Sequence, residues 1–469
     1  MPPQDILERV YTAWIEGRLE NVLERQKQLA ALHEQLSKDS RTIVQAVQQD
    51  NKANEELVSA ELVATLDGIN AVYEQLNFQD VLAQERGLKN GGRSASFFAP
   101  LGTTLVVQSP SSPIISALGP LTAALAAGSP AIILGSASTP NANAALQQII
   151  WRSLDRESFH FEISVNSKTH DAFAKASFAI AVLSDLKSRQ MTGPVVRAAN
   201  PAIRIIEPYH GLPAGFIDRS AKPHLDAAAA GIKSALAAGA SSNPRRVPRL
   251  FFVDESVIVA LKEKLGMNAQ ERKGLESWLE KWCQHVVGDF ERREGEQRPK
   301  MIQIEKFVVI TPPDGSEIAL VPTTSLDHSI DLLNRINIGT GAQVIYIFAG
   351  WKEAFYLGNF TITSQVFIND MPDRAFVLAS SRSVYDTGSC PYRFEDFSEM
   401  KVFQQGLSAG AQNRPRKAKT LDQKKVQQHK GGKMSYFEQG LILGAAMGLV
   451  ALTGLSILTY RGIRLYMVR

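Results

Sequence analysis

Between residues 96 and 206, short apolar runs alternate with helical patterns of about 10 to 15 residues, and this alternation restricts the fold more than any other feature of the chain. The stretch from Ser96 to Pro100 is extended, and TTLVVQSP reads as a buried strand. ISALGPLTAALAAG reads as a helix stopped by Gly128. Ala131 to Leu134 is the next strand and Ala142 to Leu154 the next helix, with FEISV and Phe178 to Leu183 as further strands. Strands separated by helices cannot pair as hairpins, because each crossover returns the chain parallel to the strand it left. The expected fold is therefore α/β, built on a parallel, doubly wound sheet.

Ahead of this segment, Ile6, Val10 and Trp14, then Leu29, Leu32, Leu36, Ile43, Val44 and Val47, recur at helical spacing, so residues 4 to 86 are expected to be helical. With 469 residues and 44% hydrophobic content, the chain can bury cores for two or three domains. Cys283 and Cys390 are its two cysteines. Their spacing gives neither a disulfide framework nor a zinc motif, which points to a reducing, cytosol-facing compartment. The opening MPPQDILERVYTAWIEGRLE is an amphipathic helix, not a secretory signal.

The charge is unevenly placed. Residues 414 to 469 hold eleven Lys/Arg against Asp422 and Glu438, leaving 40 basic and 45 acidic residues in the rest. Basicity confined to a tail, without aromatic platforms on a folded face, argues against a nucleic-acid partner. The run QGLILGAAMGLVALTGLSILTY, from Gln439 to Tyr460, carries no charge and is long enough as a helix to cross a hydrocarbon core of about 30 Å. It is expected to be a transmembrane helix, with Tyr436, Phe437, Tyr460 and Tyr466 at the interfaces. Gly440, Gly444 and Gly448 fall on one face, either as a helix-pairing motif or as the small residues common in such spans. Arg414, Arg416, Lys417, Lys419, Lys424, Lys425, Lys430 and Lys433 precede it, and Arg461, Arg464 and Arg469 follow. The positive-inside bias then places the body in the cytosol, as a single-pass tail anchor. Endoplasmic reticulum is the first expectation for the membrane, with peroxisome and mitochondrial outer membrane as alternatives.

PLGTTLVVQSPSSPIISALGPLTAALAAGSPAIIL resembles the first nucleotide-domain segment of the aldehyde dehydrogenase superfamily, in particular its C-terminally membrane-anchored fatty aldehyde dehydrogenase branch. Ile206, Glu207 and HGLPAGFID stand where that family has Glu-Leu-Gly-Gly. IALVPTTSLDHSIDLLNRIN resembles the segment entering the late catalytic-domain helix. VFIND ends in the family's Asn-Asp pair, here Asn369 and Asp370, and PYRFEDFSEMKVF resembles the closing Tyr/Phe-rich stretch. The resemblance implies a Rossmann-type nucleotide-binding domain, an α/β catalytic-type domain and a β-arm. The boundaries it suggests are 1–86 for the helical part of the nucleotide domain, 87–206 with 207–212 for its sheet and exit, and 213–380 for the catalytic-type domain. Residues 381–410 form the closing β-arm segment, 411–438 the basic linker, 439–460 the transmembrane helix and 461–469 a short basic tail. Because the family dimerises through such an arm, a homodimer or a heterodimer with a related aldehyde dehydrogenase is expected, with TITSQVFIND and VYDTGSCPYRFEDF as arm material.

In that family a cysteine thiolate attacks the aldehyde, hydride passes to NAD(P), and a glutamate activates water. The matching segment here is LAAGASSNPRRVPRLFF. Aligning the family's Gly-Gln-x-Cys on Gly239 puts Ser242 at the nucleophile, and an ungapped register puts Pro244 there. Neither is cysteine, and a serine hydroxyl needs a base that the sequence does not place beside it. The family's Trp-Asn-Tyr-Pro motif becomes Pro110, Ser111, Ser112 and Pro113, so the oxyanion amide is replaced by Ser111. Glu207 keeps the general-base position. His160, His210 and His224 lack metal spacing, so no metal is expected.

The cofactor motifs depart as well. The family's lysine falls at Leu134 or Gly135, its Gly-x-x-x-x-Gly turn at Asp185 and Gln190, and its Glu-x-Phe-Gly-Pro at Pro312, Pro313, Asp314, Gly315 and Ser316. A carboxylate at a helix start repels phosphate, and side chains block the close approach of backbone that the pyrophosphate needs. The sequence therefore suggests a membrane-anchored, aldehyde dehydrogenase-like protein without bound cofactor, or with NAD(P) if any, that works as a binding or scaffolding subunit. The alternative is an oxidoreductase or altered enzyme acting on a hydrophobic fatty aldehyde or acyl substrate.

Overall fold

The computed structural model describes residues 2–79, 82–83, 86, 94–163, 166–207, 211–240, 247–275, 277–279, 306–311, 317–337, 341–363, 365–372, 375–376, 392–404, 440–450 and 452–453. They fall into two units, a body of Met1–Thr324 with Ser329–Gln405 and a second unit of Ser325–His328 with Gly406–Arg469.

Helices α1 (Pro3–Ile15), α2 (Val22–Lys38), α3 (Ser40–Asn51) and α4 (Glu55–Gln75) open the body, as the helical spacing of residues 4 to 86 requires. Leu29, Leu32 and Leu36 form the buried stripe of α2. The side chains of Asn21 and Asn54 cap α2 and α4 by accepting from Leu23 N and Glu56 N, which pairs donors that a helix start leaves open.

The chain then alternates through β1 (Ser94–Pro100), β2 (Thr104–Val107), α5 (Pro113–Ala127), β3 (Ala131–Leu134), α6 (Pro140–Ser153) and β4 (Phe159–Glu162). It continues through α7 (Ser167–Ala174), β5 (Ile180–Leu183), α8 (Leu186–Ala199) and β6 (Arg204–Ile206). Among the described residues, β4-β3-β2-β5-β6 form a five-stranded sheet in which every pairing is parallel. Strands β2, β3 and β5 are buried throughout, as a sheet covered on both faces must be. The run FEISV begins two residues into β4, because pairing with β3 (Ala131↔Phe159 to Leu134↔Glu162) fixes where that strand starts and stops. The order of strands reverses between β2 and β5, which opens a crevice at their carboxyl ends.

Helix α5 is the centre of this half, with all 15 of its residues buried. It contributes no titratable side chain of its own. Gly128 closes it in the left-handed conformation (φ 88°), a geometry that costs a glycine nothing. The partly buried Arg25 of α2 donates to the Ala126 carbonyl at that same end. A cation there complements the partial negative charge of a helix C-terminus.

The second sheet is built from β7 (Ala214–Ile217), α9 (Leu225–Ala240), β8 (Leu250–Asp254), α10 (Ile258–Leu265), β9 (Ala269–Arg272) and β10 (Phe307–Ile310). β11 (Ile318–Thr323), α11 (Leu326–Ile336), β12 (Ile345–Phe348), α12 (Trp351–Phe360) and β13 (Val366–Ile368) follow. It has seven strands among the described residues, in the order β13-β12-β7-β8-β11-β10-β9. The first five run parallel, β10 pairs antiparallel with β11, and β9 pairs antiparallel with β10. This matches the expected α/β division into a nucleotide-type sheet and a mixed catalytic-type sheet.

The arm differs from its expectation. β14 (Ser398–Gln404) pairs antiparallel with β1, from Ser94↔Gln404 to Pro100↔Ser398, as a separate two-stranded ribbon. Arg204 holds its base by donating to the Asp396 and Ser398 carbonyls at 3.1 and 3.0 Å. TITSQVFIND instead supplies β13 to the catalytic-type sheet, because the α12 crossover returns that segment parallel to β12. Residues 384–390 of the other expected arm segment lie outside the described residues.

In the second unit, residues 440–450 are helical. Among the described residues no helix is long and apolar enough to cross a membrane. The expected span includes 439, 451 and 454–460, which lie outside them.

Candidate functional site

The crevice at the carboxyl ends of β2 and β5 collects most of the sequence-predicted positions that the structure describes. Gln108 leaves β2 buried. Its amide donates to the Pro113 carbonyl at 3.0 Å, and its Oε1 accepts from Ser136 N at 2.7 Å. Ser109 follows, with its N–H donating to Ser116 Oγ at 3.0 Å. The hydroxyl of Ser111 lies 2.8 Å from that of Ser109. Ser111, the residue expected from sequence to replace the oxyanion amide, is thus paired with a second hydroxyl that is no base.

Helix N-termini surround this crevice, and carboxylates occupy them. At α5, the Glu61 carboxylate of α4 accepts from Ile114 N at 2.8 Å and Ile115 N at 2.9 Å. Burial pushes the Glu61 carboxyl up to about 8, against the lowering effect of the two N–H donors. At α6, Asp50 of α3 accepts from Asn141 N at 3.2 Å, Asn141 Nδ2 at 2.8 Å and Ala142 N at 2.8 Å. At α8, the buried Asp185 accepts from Ser188 N at 2.7 Å, while Asp185 N donates back to Ser188 Oγ at 3.2 Å, closing a capping box. At α7 the cap is neutral, since Asn166 accepts from Thr169 N at 2.9 Å.

The two registers for the family's lysine both end in filled space. Leu134 is buried in the core, and a Cβ on Gly135 would lie 2.7 Å from Asn143 Nδ2 and 2.9 Å from Phe161 Cε1. Gln190 sits within α8, five residues after its cap.

Glu207, immediately after β6, forms an ion pair with Arg189 of α8, Nε to Oε2 at 2.9 Å. Its side chain is largely buried. The chain beyond it passes so close to a neighbouring loop that a Cβ on Gly211 would fall 1.7 Å from the Gly341 carbonyl oxygen. Asn337 secures this entry to the second sheet, accepting from Leu212 N at 2.6 Å and donating to its carbonyl at 3.1 Å.

Of the remaining candidates, Ser242, Pro244, His210, Cys283, Cys390 and Pro312 through Ser316 lie outside the described residues. His160 contacts Arg9 Nη2 through Nδ1 at 3.2 Å and Glu162 through Nε2 at 3.3 Å, and burial lowers its pKa. His224 ends a 3₁₀ turn, Arg219–His224, after β7. Among the described residues no group of three or more His, Cys, Asp or Glu is arranged to hold a metal ion. Asn369 adopts φ 56° and clamps Ala349, accepting from its N–H and donating to its carbonyl, both at 3.0 Å. Asn369 therefore joins the ends of β12 and β13.

Sequence reasoning missed Glu61, Asp50 and Arg189. Each is a charged residue in an amphipathic helix, where spacing alone does not separate a buried cap from a solvated face. The one available signal was that α5, an all-apolar helix, must find partners for its terminal N–H groups.

No protein-family model matches the chain. Over 148 residues it is 28% identical to a probable coniferyl aldehyde dehydrogenase of Pseudomonas aeruginosa, a match spanning 31% of this chain and 31% of that protein. The structure is similar to the substrate-bound AldH of Staphylococcus aureus, with a TM-score of 0.63 and 16% identity, covering 88% of this chain and 96% of the other. An NAD-dependent aldehyde dehydrogenase of Sinorhizobium meliloti gives a TM-score of 0.63 at 14% identity, covering 89% and 88%. Aldehyde dehydrogenase 21 of Physcomitrella patens, in complex with succinate, gives 0.62 at 15%, covering 86% and 90%. With 86 to 89% of the chain covered in these superpositions, it has the fold of the aldehyde dehydrogenases.

Proposed function

We propose that this chain is an aldehyde dehydrogenase relative of the membrane-anchored fatty branch. It has lost ordinary NAD(P)-dependent aldehyde oxidation and serves as a binding or scaffolding subunit. The observation that carries this reading is the set of carboxylates at the starts of α5, α6 and α8. A helix N-terminus attracts phosphate through its open N–H groups and positive end, and here Glu61, Asp50 and Asp185 stand where an anion would. A dinucleotide's pyrophosphate would meet like charge at α8, and its ribose would find Gly135 packed on Asn143 where the family has lysine. These residues do not fit the cofactor. The chemistry fits no better: Ser111 pairs with a hydroxyl, Glu207 with a guanidinium, and neither of the two cysteines falls in the nucleophile segment 236–252.

A scaffolding role needs a partner surface, and the β1–β14 ribbon supplies one. Phe98, Met400, Val402 and Phe403 are all exposed on it, and two strands alone are marginally stable in water. This supports a homodimer, or a heterodimer with a related aldehyde dehydrogenase. The uncharged run 439–460 and the basic linker before it support a tail anchor, with the body in the cytosol and the endoplasmic reticulum as the favoured membrane.

The test is thermal unfolding of the detergent-solubilised full chain with NAD(H) or NADP(H). A ligand at 100 times its Kd stabilises by about 2.7 kcal/mol, a readily measured rise in Tm. The expected result is no shift with either dinucleotide. A clear shift, together with aldehyde-dependent NAD(P)H production that Ser242→Ala abolishes, would establish the altered enzyme instead.

A further inference from the structure

We propose that the outward flank of α12 docks on an anionic bilayer, with Trp351 and Phe355 entering the head-group region and Lys352, Arg219 and Lys222 facing lipid phosphates. This rests on the reading of residues 439–460 as a membrane anchor.

Trp351 is 71% exposed and Phe355 64% exposed, although α12 has a proper buried face in Ala354 and Leu357. The two rings are four residues apart, hence neighbours on one side of the helix. Apolar surface continues past them. Gly358 abuts Val366 on the edge strand β13, and Ile362 beyond the helix end is 59% exposed. Single exposed apolar residues are ordinary, but a row of them on a helix and its adjoining sheet edge calls for an occupant.

Charge indicates which one. Gly350 N donates to Ser220 Oγ at 2.8 Å, so the first turn of α12 lies against the 3₁₀ turn that carries Arg219 and Lys222. These two are exposed on that turn, and Lys352 is exposed next to Trp351 in the chain. Glu353 and Asp370 share this edge, which leaves the cations in modest excess, and the rings supply the greater part of the contact. Aromatic side chains rimmed by long cationic ones suit the interface of a bilayer, where rings sit at head-group depth and amines reach phosphate. Two rings hold a free protein on a membrane only weakly. A chain anchored through 439–460 is confined within reach of the segment 405–439, and its effective concentration at the surface is on the order of millimolar, so a weak contact is occupied.

The test uses full-length protein reconstituted into phosphatidylcholine vesicles, with or without phosphatidylserine, with brominated phosphatidylcholine as collisional quencher. The chain has five tryptophans, so Trp351 is read as the difference between wild type and Trp351→Phe. Flotation of the vesicles reports anchoring separately. The expected result is flotation of both proteins and extra quenching in the wild type, rising with phosphatidylserine and reduced by Phe355→Glu without loss of flotation. Equal quenching of wild type and Trp351→Phe on floating vesicles would overturn the docking while leaving the anchor standing. Failure to float would remove the anchor and the docking with it. Shielding of Trp351 that follows protein concentration and ignores lipid would assign the flank to a protein interface and overturn the proposal.

Discussion

Helices α5 and α12 each follow the carboxyl end of a parallel strand, yet they solve opposite problems. Every residue of α5 is buried, and its two ends are met by polar groups borrowed from distant helices, the Glu61 carboxyl at the start and the Arg25 guanidinium at the finish. α12 buries Ala354 and Leu357, turns Trp351 and Phe355 outward, and is closed by its own Thr361, whose Oγ1 donates to the Leu357 carbonyl at 2.8 Å. A buried helix cannot leave terminal N–H and C=O groups unpaired, so its surroundings become exacting. A rim helix has water for that purpose, and its outer residues are free to change with function. The fold is thus held at α5, and a rim helix such as α12 is less constrained.

The comparison breaks first at Glu61. Glu61→Ala removes the acceptor for two buried N–H groups and should cost about 3 kcal/mol or more, measured by denaturant unfolding. Phe355→Ser on α12 should change the same measurement by less than about 0.5 kcal/mol. Comparable losses at both sites would show that α5 is not the firmer element. Glu61 also sets a pH dependence. Its carboxyl rises from an ordinary 4.5 to about 8 on folding, so the unfolded chain ionises first as pH increases. Stability from this group is complete below pH 4.5 and is lost as pH climbs through 8. The full loss is on the order of 4 to 5 kcal/mol at 1.36 kcal/mol per pH unit. Glu61→Gln should flatten that part of the stability profile, and an unchanged slope would mean that Glu61 is ionised in the fold at neutral pH.

At the other end of α5, Arg25→Met should destabilise by about 2 kcal/mol, the worth of a charged hydrogen bond to a helix C-terminus in a partly buried setting. Burial lowers the guanidinium to about 10, which still leaves it charged at neutral pH. If Arg25→Met unfolds at the wild-type denaturant concentration, the macrodipole of α5 is balanced from one end only.

Much of this architecture was legible in the sequence because apolar spacing and the glycine stop at Gly128 encode local structure directly. β2, β3, β5 and α5 lie where their apolar runs put them, since a strand covered on both faces has no polar side to confuse the pattern. β14 falls within the segment 381–410 expected as the arm, but its partner β1, some three hundred residues earlier, was not legible, and TITSQVFIND was misread because it carries the same β-branched signature whether it pairs with β12 or with β1. At the candidate site, the positions of Ser111, Asp185 and Glu207 were legible, but their partners were not. Ser109 meets Ser111 through the tight turn after β2 and Ser188 meets Asp185 in the capping box of α8, while Arg189 reaches Glu207 only through the packing of α8 against the sheet at β5. Cap residues such as Glu61 and Asp50 carry no periodic signal at all.

The smallest effect belongs to the crevice itself. Arg189 pairs with Glu207 across the end of β6, but the arginine is 37% exposed, so water screens much of the attraction. Arg189→Gln should therefore cost less than about 1 kcal/mol in thermal or denaturant unfolding. Its use lies in what it does to Glu207. A carboxylate held by a guanidinium is a poor base, because the cation stabilises its charged form and fixes its orientation. If the pair is a structural tie, Arg189→Gln leaves the response of Tm to dinucleotide and the aldehyde turnover at their wild-type values. If Arg189→Gln instead gains a Tm rise with NAD(H), the crevice is closed by this one ion pair. The carboxylates at α5, α6 and α8 would then be tolerated by the cofactor, and the contrast between a sealed interior and a free rim would move from the helix starts to a single arginine.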